Sequence, residues 1–286
     1  NTAISNFPFL RENMNAYEYA SSYNTGLAYD SYVTGNFNPV FSEEDIELYK
    51  NHQDPIFHPD IDWYDLMLKK YSFQTQQNFN IRGGTEKVKY FFSLGYFYQN
   101  GMFNTEVYDS GFDAQLRYNR YNLRSNFDFD VTKLLTVSLD ISTQIEDNRN
   151  PDWNTELFME MLSSKPPIIT PGVVDGKIIT IGETVSIAGG TSPLTVFNKG
   201  WNRQFVNNLN GSVRFNYKLD YITKGLKARG VLSYRNYNTQ GQRYAKPGIF
   251  YEAIKTNDEI LYVPSGDTDN YQFSESVGKN RRTYLE

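Results

Sequence analysis

Residues 121–145 read YNLRSNFDFDVTKLLTVSLDISTQI, and this stretch decides the fold class. Successive side chains of a β-strand point to opposite faces of the sheet, so every second residue shares a face. On that spacing, one face carries the apolar residues Tyr121, Leu123, Phe127 and Phe129. All residues between them are polar. The alternation starts again at Leu135 and continues to Ile145, so the stretch predicts two antiparallel strands connected by a tight turn.

The same alternation recurs elsewhere in the chain. It is found at residues 87–99, 205–221 and 226–235, and more weakly at 76–82. Residues 281–286 predict the start of one further strand. We therefore expect an all-β, antiparallel, up-and-down sheet of six complete strands and a partial one.

The connections between these strands alternate in length. Tight joints are predicted at residues 83–86, 130–133 and 222–225. The long segments between the hairpins are 100–118, 147–203 and 239–280. Because neighbouring strands run in opposite directions, all tight turns fall at one end of the sheet and all long loops at the other.

Strand length and this asymmetry favour a transmembrane β-barrel. Soluble strands usually run about 5–6 residues, whereas these alternations extend over roughly 10–17. Ten residues at roughly 3.3 Å each, tilted near 45°, cover about 23 Å, close to the ~25 Å apolar band of outer-membrane barrels. The alternative is a soluble two-layer β protein with its apolar face turned inward, because alternation alone does not identify the wet face.

A membrane sheet has to close, because an open edge leaves unpaired backbone groups in lipid. Six strands fall short of the smallest single-chain barrel, which has about 8. The chain is therefore expected to be a segment of a larger barrel or one protomer of a shared barrel. Its start at Asn1 without a targeting sequence, and its end at Glu286 within a predicted strand, favour the segment.

The sequence divides into two regions. Residues 1–72 are predicted to be an extracellular loop region with short helices, and 73–286 to contain the barrel strands and their extracellular loops. The predicted helices span residues 15–24, 42–50 and 62–70. The second has the strongest signals, because a Ser precedes an acidic first turn and a Lys ends the helix.

The composition excludes several classes of function. The 286 residues include 28 Lys and Arg against 33 Asp and Glu, a net charge of −5 that does not suit a nucleic-acid partner. Cysteine is absent, which excludes disulfides and thiolate metal sites. His52 and His58 lie among aspartates, but we expect surface histidines there rather than a metal site. With no Gly-x-Ser-x-Gly motif either, no catalytic residue, metal or cofactor is assigned.

Several short runs occur together and in order in the first half of the chain. They are DWYDLMLK (62–69), QQNFNI (76–81), GGTEKVKYF (83–91), SLGY (93–96) and QNG (99–101). Fainter ones are Glu18-Tyr19-Ala20 with Asn24, and YNLRSN (121–126). Together these runs resemble the first barrel strands of the SusC/RagA-type TonB-dependent outer-membrane transporters. The loops at 147–203 and 239–280 carry no match.

The resemblance implies a 22-stranded barrel that is occluded by a plug. It also implies import of oligosaccharides or peptides across the outer membrane, with a SusD-like surface lipoprotein as lid and energy from the TonB complex. The TonB box, the plug and the carboxy-terminal strands of the family are not found in this sequence. Contacts with the TonB complex would therefore be made by parts outside this chain.

Candidate cargo-binding residues come from the loops and from the polar strand faces. Trp153 and Trp201 lie in or beside the longest predicted loop, where an exposed indole stacks on a sugar. The alternative is that each Trp anchors its loop. Arg124, Asp128 and Arg214 would line the barrel interior and contact cargo or plug. The expected function is nutrient import without catalysis; a soluble extracellular glycan-binding module is the alternative.

Overall fold

A computed structural model of the chain describes residues 2–5, 10, 12–181, 192–197, 199–256, 259–265 and 272–285. β-Strands are the dominant element, and helices occur in the N-terminal region and in the longest loop. The helices are α1 (Ala16–Thr34), α2 (Glu43–Asn51), α3 (Trp63–Met67), α4 (Thr155–Ser164) and α5 (Pro193–Phe197).

The strands form two sheets. In chain order they are β1 (Thr2–Ser5), β2 (Ser72–Gly84), β3 (Val88–Asn100), β4 (Arg117–Asp130), β5 (Leu135–Pro151), β6 (Val173–Val174), β7 (Lys177–Thr180), β8 (Gly200–Lys218), β9 (Lys227–Ala245), β10 (Phe250–Lys255), β11 (Ile260–Ser265) and β12 (Gln272–Leu285). The main sheet is antiparallel throughout and has the order β1-β2-β3-β4-β5-β8-β9-β12. The small sheet has the order β11-β10-β7-β6.

The predicted strands and their antiparallel order are confirmed, but several strands are longer than their alternation indicates. β5 continues beyond Ile145 to Pro151, and β9 continues to Ala245. β8 begins at Gly200, and β12 begins at Gln272, so the prediction that its strand starts at residue 281 is wrong. These extensions carry polar residues on both faces, as at 147–150 of β5, so the apolar period disappears while backbone pairing continues.

The long connections are shorter as a result. They span residues 101–116, 152–199 and 246–271, in place of the predicted 100–118, 147–203 and 239–280. β1 was not predicted, because four residues are too few to establish a period. It pairs with the first residues of β2 at one edge of the main sheet.

The three predicted N-terminal helices are confirmed with different ends. α1 continues past Asn24 to Thr34 and is capped by Gly35, whose φ of 77° is readily adopted by glycine. α2 has the predicted Ser42 cap, with the Asp45 side chain returning the hydrogen bond. α3 ends at Met67, before the predicted end at 70.

Strand register places the apolar residues of neighbouring strands on one face of the main sheet. One line of Cα partners runs through Tyr90, Phe127, Leu139, Val213 and Leu232. On the opposite face, a second line runs through Ser93, Arg124, Ser142, Asn210 and Arg235. A slip of one residue would exchange the faces, so register keeps the apolar and polar sets apart.

The apolar face ends along an oblique line on the side of the long loops. Ser125, Thr143, Gly211 and Gly230 are small interruptions of this face, which ends on each strand at the first Asn or Asp. The last apolar residues before that end are Tyr98 of β3, Tyr121 of β4, Ile145 of β5, Leu209 of β8 and Tyr234 of β9. When paired positions are compared, this boundary shifts toward the tight-turn end of the sheet. The shift is two residues from β3 to β4, none from β4 to β5, and two residues at each of the next two pairs. Phe205 of β8 lies beyond this boundary, between Asp147 and Gln240.

The apolar face of the main sheet is not covered by the described part of the chain. Phe79 is 56% exposed, Tyr121 43% and Leu232 44%. The buried hydrophobic clusters contain residues of the helices, the loops and the small sheet, and none of them includes a side chain of β2–β5, β8 or β9. This face therefore has no layer packed against it in the described structure.

The larger hydrophobic cluster lies at the long-loop end. It is built from Trp63, Met67, Leu68, Phe103, Phe158, Leu162, Ile169, Ile178 and Leu194. The indole N–H of buried Trp63 donates a hydrogen bond to the Pro166 carbonyl at 3.1 Å. The small sheet joins two long loops, because β7 and β10 pair in parallel. Residues of the N-terminal helices and of the three long connections thus pack together at the long-loop end of the main sheet.

A second hydrophobic cluster packs α1 against α2. Its buried residues are Ala16, Ala20, Phe41, Tyr49 and Ile168. His58 lies beside this cluster. Its Nε2 is 3.0 Å from Asp45 Oδ1, and its Nδ1 is 3.3 Å from Asp54 Oδ2. The ring also packs edge-on against buried Tyr49. Burial raises the pKa of the Asp45 carboxyl, but hydrogen bonds from His58 and Ser42 and the charge of His58 outweigh it, and the net pKa is lowered.

These contacts predict that α2 loosens in acid. A lowered native pKa means that ionised Asp45 stabilises the fold fully above the ordinary carboxyl pKa of about 4, and that this contribution is lost as pH falls through the lowered native value. Hydrogen–deuterium exchange of residues 42–58, corrected for intrinsic pH dependence, should rise over that range in the wild type.

The Asp45→Asn variant should exchange faster already at pH 7 and respond less to acid. Glu44→Gln, in the same first turn but without the His58 contact, is the matched control and should behave like the wild type. Identical acid profiles for Asp45→Asn and wild type would contradict this account.

Candidate functional site

The polar face of the main sheet holds the strongest candidate binding surface. A concavity of about 470 Å³ crosses β4, β5, β8 and β9 and reaches Tyr284 of β12. Its polar wall includes Arg124, Asn126, Asp140, Ser142, Asn210, Ser212 and Arg235. A second concavity of about 360 Å³ adjoins it toward β3 and shares Arg124, Ser142 and Asn210 with it. Both are lined by groups that hydrogen-bond, on strands that hold them rigidly.

Asp140 is the centre of the hydrogen-bond network in this concavity. It accepts hydrogen bonds from Asn126, from Ser212 at 3.4 Å and from Arg214 Nη2 at 3.4 Å. Its two oxygens thus connect three strands. Asp128 makes its own contact outside this network, because it accepts a hydrogen bond from the Ser138 hydroxyl at 2.6 Å.

Arg124 differs from these neighbours. No hydrogen bond or ion pair joins its side chain to another residue of the described ranges, although it forms part of the wall of both concavities. Guanidinium groups present a planar fork of donors. Arg124 is therefore the side chain in this wall with the most unused capacity for a ligand.

The structure brings together three of the five predicted site residues. Arg124, Asp128 and Arg214 share the polar face, and Asp128 and Arg214 both lie opposite Ser138 of β5. Asp140, Asn210 and Arg235 also line the concavity but are not among the predicted site residues. Their polar-face positions are visible in the sequence, but only register shows that they lie around one concavity.

Both predicted tryptophans lie elsewhere. Trp153 packs in the larger hydrophobic cluster, with ring centroids 4.8 Å from Phe103 and 4.2 Å from Phe158. Trp201 lies on the apolar side of β8, stacked on Tyr244 and covered by the Arg149 guanidinium at 5.1 Å. These contacts favour the anchoring role over stacking on a sugar.

The chemistry of the described residues suits binding. Among them, no group of three His, Cys, Asp or Glu is placed to hold a metal ion. In the same ranges, no helix is both long and apolar enough to cross a membrane. The concavity offers amides, hydroxyls, carboxylates and guanidinium groups, which recognise sugar hydroxyls or peptide backbones by hydrogen bonding.

Comparison with known proteins identifies a relative. No protein-family model matches the chain. The TonB-dependent receptor P26 of Formosa agariphila is 25% identical over 236 residues, which cover 80% of this chain and 22% of that receptor. The chain thus spans about a fifth of the length of the curated relative that it matches.

Among solved structures, the chain aligns with the RagAB peptide importer. The alignment to its closed-closed state has 15% identity and a TM-score of 0.45, and that to its open-open state has 16% and 0.47. Each covers 99% of this chain and 38% of the other. In sequence, the chain is thus similar to part of a TonB-dependent receptor.

Proposed function

We propose that this chain supplies barrel strands to an outer-membrane transporter that imports oligosaccharides or peptides in a TonB-dependent manner. The observation that carries the proposal is the uncovered apolar face of the main sheet and its oblique boundary. Sequence similarity to part of a TonB-dependent receptor supports it.

The slope of the boundary agrees with a sheet tilted in a bilayer. The line falls by about 1.5 residues per strand, which at roughly 3.3 Å per residue and about 4.8 Å between strands is the offset of strands tilted by about 45°. Transmembrane barrel strands tilt by about 35–45°. A flat apolar layer that cuts across tilted strands therefore accounts for the boundary.

The soluble alternative does not account for the same face. A glycan-binding module would have to bury these aromatic and aliphatic side chains against a second layer, because large exposed apolar patches mark interaction surfaces. The hydrophobic clusters that do exist lie at the long-loop end and leave the face free. Lipid is a partner that fits an apolar band with polar edges.

With the apolar face toward lipid, the polar face of the main sheet lines the barrel interior. Arg124, Asp128 and Arg214 then face the transport path, where Arg124 contacts cargo and the network around Asp140 fixes the wall. The long loops and N-terminal helices lie outside the cell, as short turns on the periplasmic side are typical of such barrels. A SusD-like lipoprotein would close over this layer, and parts outside this chain would contact the TonB complex.

The function is tested with the full-length protein in its native host. Deletion of its gene should abolish uptake of a labelled oligosaccharide or peptide cargo, and so should removal of TonB. Arg124→Ala should lower uptake several-fold at an unchanged level of protein in the outer membrane, because one charge-assisted contact is lost. Recovery of the wild-type protein in the soluble fraction without detergent would contradict the proposal.

A charge on the apolar face should block assembly. Leu139→Arg places a guanidinium in the middle of the band on β5, where the expected cost is about 2–4 kcal/mol. Gln144→Arg on the polar face of the same strand is the matched control. We expect heat-modifiable, folded protein in outer-membrane fractions for the control and a strongly reduced amount for Leu139→Arg. Equal amounts of the two would show that this face does not meet lipid.

A further inference from the structure

Three arginines lie side by side on the apolar side of the main sheet, beyond the boundary. Arg117 of β4 is the direct Cα partner of Arg149 of β5, which is the direct partner of Arg203 of β8. Like charges directly opposite each other on neighbouring strands are destabilising. Within the described ranges two aspartates pair with the three arginines, which leaves one positive charge of the row without a carboxylate of its own.

The two aspartates are not shared equally among the three arginines. Asp147 binds Arg203 through two hydrogen bonds, at 2.7 Å from Nε and 2.6 Å from Nη2. Asp113 is shared, since its Oδ2 lies 2.9 Å from Arg117 Nη1 and 3.8 Å from Arg149 Nη1. One carboxylate therefore faces two guanidinium groups at the β4–β5 pair.

Arg149 is held in place, yet its donors are unused. Its side chain is 30% exposed, and its guanidinium lies over the Trp201 ring at 5.1 Å. Its Nε is buried, and the guanidinium makes no hydrogen bond within the described ranges. A fixed, partly buried guanidinium with free donors indicates a ligand that supplies acceptor oxygens.

The position of Arg117 and Arg149 relative to the bilayer indicates which kind of anion they would meet. Arg117 and Arg149 each lie four residues beyond the last apolar residue of their strand, Tyr121 and Ile145. At roughly 3.3 Å per residue and a tilt near 45°, that is about 9 Å above the hydrocarbon layer. Headgroups occupy about 5–8 Å on each side of a bilayer, and long arginine side chains reach toward them.

We propose that Arg117 and Arg149 bind a phosphate of an anionic lipid headgroup on the outside of the barrel. Phosphate matches the planar donor fork of a guanidinium group, and two such groups flank one oxyanion. Free phosphate shares this chemistry, but the outward, membrane-level position favours the lipid. The inference rests on the membrane orientation of the proposed function.

The test uses full-length protein, purified in detergent, stripped of lipid and titrated with phosphatidylglycerol under native mass spectrometry. Folding of every variant is checked first by heat-modifiable mobility. The Arg117→Gln/Arg149→Gln variant should bind at least tenfold more weakly than wild type. Arg229→Gln, which removes a guanidinium on the polar face of β9, should bind like the wild type.

The outcomes are separable. Equal binding by folded wild type and double variant overturns the lipid site, while the Leu139→Arg result still decides the membrane orientation. If inorganic phosphate displaces the lipid at similar concentrations, the ligand is a free anion and the lipid assignment is wrong. Should the double variant fail to fold, Arg149→Lys keeps the charge but loses the fork, and unchanged binding by it contradicts the proposal.

Discussion

Register between long antiparallel strands is the constraint on which the rest of the structure depends. Each strand alternates its side chains, and each pair is aligned so that apolar residues meet apolar residues from β3 to β9. The polar concavity, the apolar band and the row of arginines are all products of this one alignment. A slip of a single residue at β4–β5 would turn Arg124 toward the apolar side and Leu123 toward the polar side.

Sequence predicted the strands well where the two faces differ in polarity. Residues 121–145 have that contrast, and their hairpin was found in the predicted place. Prediction failed where both faces are polar, as in the outer ends of β5 and β9, because only backbone pairing continues there. It also failed for β1 and for the small sheet, whose strands of two to six residues have little periodicity and depend on partners distant in sequence.

The candidate site was predictable in part for a related reason. Alternation places Arg124 on the polar face, but the neighbours that complete its concavity belong to four other strands. The sequence of one strand does not reveal how it aligns with the others. The tryptophans show the opposite error. An aromatic residue in a long loop suggests an exposed platform, yet Trp153 lies in the hydrophobic cluster that holds the loops together.

The parallel pairing of β7 with β10 also bears on the order in which the chain folds. Thr180 and Glu252 are partners although about seventy residues separate them, so forming this pair early would require closing a long loop at high entropic cost. The hairpin of β8 and β9 lies between them, and its formation brings Gly200 opposite Ala245. Once that hairpin exists, the remaining closure is shorter, because only residues 180–200 and 245–252 still have to be brought together. The small sheet is therefore expected to form after the main-sheet strands that it connects, because pairings between residues close in sequence form first.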